Sequence, residues 1–187
     1  MYINQAYKGN NAWWRVLITS LLALGVFVAN FIMYFLMSKE DLDKLYQSMR
    51  EIPNNLSLLM NLLPFVLLLG LLFLLVGVLH QRSILSLTTS RDKVDYNRIL
   101  FSFGLIVLLT LASFAVSYAL DSSTVLWNFN PAKFALLFGI SLLLFPFQIG
   151  FEEYLFRGYL MQQIGIIAKN RWFPLLLTST LFGLFHS

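Results

Sequence analysis

The chain contains no cysteine, which excludes disulfides, thiolate metal ligands and a cysteine nucleophile. It is also poor in charge. Only 12% of its 187 residues are Asp, Glu, Lys or Arg and 58% are apolar, against about 25% and about 45–50% in an ordinary globular protein. That leaves too little polar surface to cover a water-facing globule, so a lipid bilayer is the expected solvent and partner. The net charge of +4 comes from basic residues scattered between apolar runs, so no nucleic-acid partner is expected. Other absences narrow the chemistry. There is no H-E-x-x-H for a helical zinc protease, no G-x-S-x-G for a serine nucleophile and no phosphate-binding loop. No internal repeat is visible.

What the sequence has instead is long apolar runs. Residues 16–37, 56–79 and 99–120 are each long enough to cross a bilayer core of about 30 Å as a helix rising about 1.5 Å per residue. A fourth run occupies 134–151, and a fifth opens at Trp172. The expectation is an all-α, polytopic transmembrane helix bundle of about five helices. The first run is too long for the core of a cleaved signal peptide, so it is read as a retained span. A short surface helix is expected after Ser38, closed by Pro53. Trp13, Trp14, Trp127 and Trp172 lie near run ends, as interfacial anchors do. Asn30 and Asn61 read as helix–helix hydrogen-bonding groups. His80, beside Gln81 and Arg82 at the end of the second run, reads as an interfacial cap rather than a ligand. Eight Lys and Arg flank the spans on one side (8, 15, 82, 91, 93, 98, 169 and 171) and four on the other (39, 44, 50 and 133), which places the N-terminus in the cytoplasm of a multi-pass cell-membrane protein.

Charge returns abruptly at "GFEEYLFRGYL", residues 150–160, after eighteen positions without any. On a helix Glu153 and Arg157 are four apart and share a face, so they can pair. Glu152 is turned about 100° away and is left for other work. An ionisable group at membrane depth is a functional hypothesis by default; the alternative is that the three charges mark the wet end of a helix. If this segment and the final run form an antiparallel hairpin turning near Lys169, residues at matching levels sum to about 338, as Glu152 and His186 do. Each would lie about 25 Å from the turn. A carboxylate facing an imidazole can hold a water between them, one accepting its proton and the other orienting it. Two carboxylates and one histidine do not imply a metal, so no cofactor is expected as certain and a divalent ion such as zinc stays open. One straight helix over 134–168 would be about 52 Å, too long for one crossing. The path must therefore bend, break or protrude, with Pro146, Gly150, Gly158 and Gly165 as candidate places and the proline favoured.

These residues resemble the CPBP family, the CAAX proteases and bacteriocin-processing (Abi) enzymes. "EEYLFR" fits its motif E-E-x-x-x-R, and "FGLFH", with Phe182 and His186, fits its F-x-x-x-H. The resemblance covers about 134–187; residues 1–133 resemble the family only in being multi-spanning helices with polar linkers. It implies a glutamate-dependent intramembrane endopeptidase in which Glu152 is the general base, His186 helps hold the water, and Glu153 and Arg157 support them. The implied substrate is a peptide or membrane protein, prenylated in some family members. The family's third motif, H-x-x-x-N or H-x-x-x-D, thought to hold the oxyanion, does not follow within this sequence, which is read as part of a longer protein. The alternative is a non-catalytic membrane scaffold or bacteriocin-immunity protein of the same fold; a transporter using Glu152 as a proton site is a more distant reading.

Overall fold

The computed structural model describes residues 2–125 and 128–184. The described residues form helices and turns without a strand. A 3-10 helix, Ile3–Lys8, precedes α1 (Trp13–Leu36), α2 (Lys39–Glu51), α3 (Asn54–Val78), the one-turn α4 (Leu85–Thr88), α5 (Tyr96–Leu120), α6 (Pro131–Glu152), α7 (Met161–Ala168) and α8 (Trp172–Leu184). The expected all-α bundle is what the chain builds. Among the described residues, four helical stretches are long and apolar enough to cross a membrane: α1, α3, α5 and the continuous path Pro131–Ala168. The protein is accordingly a multi-pass membrane protein. The fifth run gives the shorter apolar helix α8.

Local chemistry sets the helix limits. The Ser38 hydroxyl accepts from the Asp41 amide (3.2 Å), and Asp95 and Asn130 accept from Arg98 (3.3 Å) and Lys133 (3.1 Å) in the same way. Each side chain satisfies an amide that the first turn leaves without a partner. Pro53 stands as the N-cap of α3.

Of the candidate places for a departure from one straight helix, Gly158 lies within the observed one and the favoured Pro146 does not. α6 runs through Pro146 as α-helix, and the departure comes later, as a π-helical stretch over Glu153–Leu160. The path thus stays continuous for 38 residues, and its excess length projects beyond what one crossing needs. That excess is where the molecule packs best. The core consists of Ala23 of α1, Leu68, Leu72 and Val76 of α3, Leu87 of α4, and Phe151, Leu155, Phe156, Tyr159 and Leu160. Phe27 stacks parallel to Phe151 at 6.1 Å and meets Phe156 edge-on at 6.2 Å. The N-terminal 3-10 helix folds back onto α7. A Cβ added at Gly165 would lie 2.7 Å from the Ile3 side chain, so only glycine admits that approach without a shift. The Asn61 side chain is exposed and makes no hydrogen bond among the described residues, so the helix–helix contact expected of it is not made there. The Asn30 side chain and Trp127 lie outside the described residues.

Candidate active site

The motif segment sits where α6 passes into the π-helical stretch. A π turn widens the helix and rotates the following side chains relative to α geometry, and such turns recur at functional sites. Glu152 is the last residue of α6 and is 8% exposed. The Gln148 amide, one turn earlier, donates to its Oε1 at 3.4 Å. Glu153 faces the other way. Both its carboxylate oxygens lie 3.0 Å from Arg157 Nη1, with the arginine side chain 64% and the glutamate 41% exposed. The expected division is therefore present in the geometry: one paired, half-exposed carboxylate and one buried carboxylate turned elsewhere. At that exposure the ion pair contributes at most about 1 kcal/mol, so it orients groups more than it stabilises the fold.

α8 returns antiparallel beside this segment. Lys169 takes the left-handed conformation (φ 50°) and ends α7, and the Asn170 side chain caps the Trp172 amide at 2.8 Å. Phe156 and Phe182, whose numbers sum to 338, meet edge-on with ring centroids 5.6 Å apart. The hairpin and its level rule hold at that pair. A cleft of about 180 Å³ beside it is lined by Phe156, Arg157, Thr178, Ser179, Phe182 and Gly183. His186 lies outside the described residues, so its distance from Glu152 is not given by the structure. Among the described residues no three His, Asp or Glu side chains gather as metal donors.

A second polar cluster, which sequence reasoning missed, secures the far end of the same helix. His80 is fully buried, not an interfacial cap. Its Nε2 is 2.9 Å from the Tyr159 hydroxyl and 3.1 Å from the Thr19 hydroxyl, and its Nδ1 is 2.9 Å from the Asn10 carbonyl. Gln81 adopts φ 52°, which turns the chain so that both His80 and Arg82 enter the interior. Arg82 donates to Ser86 Oγ at 3.2 Å and to Gln162 Oε1, while the Gln162 amide donates to the Ser86 carbonyl at 2.9 Å. Gln163 donates to Asn11 Oδ1 at 3.0 Å. Burial holds the His80 imidazole below its ordinary pKa, with Arg82 and Arg15 adding to the effect, and burial likewise lowers Arg82. The signal available in the sequence was Tyr159, Gln162 and Gln163 standing together on one helix in an apolar setting.

Comparison with known proteins finds a likeness in this region. Residues 131–187 match the family described as type II CAAX prenyl endopeptidase Rce1-like. The chain is similar to the uncharacterized protein YyaK of Bacillus subtilis (strain 168), at 29% identity across 96% of this chain and 62% of YyaK. It thus spans less than two thirds of the length of that relative. No solved structure matches it.

Proposed function

From the match of residues 131–187 to the type II CAAX prenyl endopeptidase Rce1-like family, we propose that the protein is an intramembrane endopeptidase in which Glu152 is the general base. The supporting observation is the buried Glu152 carboxyl at the junction of α6 and the π-helical stretch, beside a Glu153 already committed to Arg157. In the proposed reaction Glu152 takes a proton from a water whose oxygen attacks the scissile carbonyl carbon. The C–N bond then breaks, and the proton passes to the leaving amine. His186 orients the water, while Glu153 and Arg157 hold the segment that carries Glu152. Residues 134–187 supply this chemistry, and residues 1–133 supply spans and the packing partners of the motif helix. The N-terminus faces the cytoplasm and the bilayer is the cell membrane. The substrate is the C-terminal peptide of a membrane-associated protein, prenylated or not.

The test uses the full protein reconstituted into liposomes with a farnesylated C-terminal CAAX-type peptide and its unprenylated counterpart. Glu152→Gln is expected to reduce kcat/KM by about 10²–10⁴, the range a general base contributes, and His186→Ala to reduce it strongly. Glu153→Gln is expected to stay within about tenfold of the parent, since it loses only an exposed pair. Cleavage by Glu152→Gln at the parental rate would overturn the assignment. If the parent cuts neither peptide, the peptidase reading fails for CAAX-type substrates.

A further inference from the structure

A pocket of about 480 Å³ lies at the opposite end of the motif helix, between the N-terminal 3-10 helix and the turn from α7 to α8. Lys169 and Arg171 line it, together with Asn4, Tyr7, Ile166 and Trp172. Its electrostatics are one-sided. The first acidic residue of the chain is Glu40 and the last is Glu153, so neither the N-terminal segment nor the α7–α8 turn holds a carboxylate side chain. Among the described residues, neither Lys169 nor Arg171 makes an ion pair. The Arg171 guanidinium lies over the Trp172 ring, 5.2 Å from its centroid, an attraction that holds the cation beside an indole without neutralising it. Lys169 keeps φ 50°, where glycine or asparagine is more at ease, and presents a cation at the rim.

Exposed apolar surface adjoins the pocket on one side. α8 starts at its edge, and Trp172, Phe173 and Leu176 are all exposed along the first turn. A free phosphate would use the two cations and leave this face bare. A lipid would use both, with its phosphodiester at Lys169 and Arg171 and its acyl chains along α8. Aromatic residues beside basic ones at a helix end are the usual arrangement at headgroup level.

We propose that this pocket binds the headgroup of an anionic phospholipid, through Lys169 and Arg171, at the membrane surface of the α7–α8 turn. The site stands apart from the peptidase reading and needs no catalytic residue. The experiment is native mass spectrometry of the detergent-purified protein supplied with equal phosphatidylglycerol and phosphatidylcholine, backed by melting curves with each lipid. One phosphatidylglycerol is expected to remain bound preferentially and to raise the melting temperature. The double variant Lys169→Asn/Arg171→Gln, which keeps a residue tolerant of the left-handed conformation, is expected to lose about tenfold in occupancy and to melt as the parent does without lipid. Lys169→Arg/Arg171→Lys is expected to retain binding. Equal retention of the two lipids, unchanged occupancy in the neutral double variant, or full displacement by millimolar glycerol phosphate would each overturn the proposal, the last by assigning the cations to a soluble phosphate.

Discussion

α5 and the path Pro131–Ala168 are both long apolar helices, yet the molecule treats them in opposite ways. α5 buries none of its residues and, among the described elements, its main neighbour is the short turn that follows it. The second path carries Phe151, Leu155, Phe156, Tyr159, Gln162 and Gln163, all buried against α1, α3, α4 and the N-terminal segment. Hydrophobicity does not separate them, because lipid tails solvate leucine as well as another helix does. What separates them is polar attachment. Tyr154 reaches the Thr88 hydroxyl at 3.1 Å, Tyr159 reaches His80, and Gln162 and Gln163 reach Ser86 and Asn11. Such groups in a low-dielectric interior are costly unless paired, so they fix which surfaces meet. The helix with the candidate site is the one so held.

The largest effect on stability is therefore expected from breaking the His80 node. His80→Ala removes contacts to Tyr159, Thr19 and Asn10 together, leaves buried polar atoms without a partner and opens a cavity. Each lost bond with its stranded partner costs about 1–3 kcal/mol, so a total of at least about 3 kcal/mol is expected in detergent unfolding titrations. Tyr159→Phe removes one of the three contacts and is expected to lose about a third of that. A His80→Ala protein as stable as the parent would show that apolar packing alone holds the motif helix.

The same node makes stability depend on pH in a set direction. The His80 pKa is lowered in the folded state, so below its ordinary value of about 6.5 the unfolded chain binds a proton that the folded chain resists. Its stabilising contribution is complete above about pH 6.5 and is lost as pH falls through the lower folded value. The charged neighbours, Arg82 and Arg15, act in the same sense, while the Asn10 carbonyl acts against it. Melting temperatures at pH 8, 6.5 and 5.5 should be flat and then fall, and His80→Gln should flatten the acid limb. A rise on acidification would contradict a buried neutral imidazole.

This contrast also explains what could be read from the sequence. The long helices, the Ser38 cap and the separation of Glu152 from Glu153 follow from local periodicity and spacing, which survive any tertiary arrangement. The hairpin level rule was legible too, and Phe156 against Phe182 satisfies it. The π-helical stretch was not, because a proline seven residues earlier is the stronger local signal for a break, and the close approach of Leu87 of α4 to Gly158 is a tertiary contact that no local window contains. His80 was misread for a similar reason. Its burial is created by the N-terminal segment folding across 160-odd residues of sequence onto α7, and no window around His80 contains that information. The partner of Glu152 expected at His186 falls outside the described residues.

The smallest effects should come from α5, and two glycines make the comparison sharp. A Cβ added at Gly104 of α5 meets nothing within 4 Å, whereas one at Gly165 of α7 meets Ile3 at 2.7 Å. Gly165→Leu must push the N-terminal 3-10 helix off α7, and overpacking of this kind costs about 1–3 kcal/mol. It should also expose the peptide bonds around Ile3–Lys8 to protease. Gly104→Leu adds its side chain to lipid-facing surface and removes a poor helix former, so stability should change by less than about 1 kcal/mol and in the favourable sense. Unfolding titrations of the two variants in the same micelles, with N-terminal proteolysis as the second readout, measure the difference directly. A large loss from Gly104→Leu would mean that α5 is packed against protein in the membrane, and the division between a tethered and an untethered span would have to be redrawn.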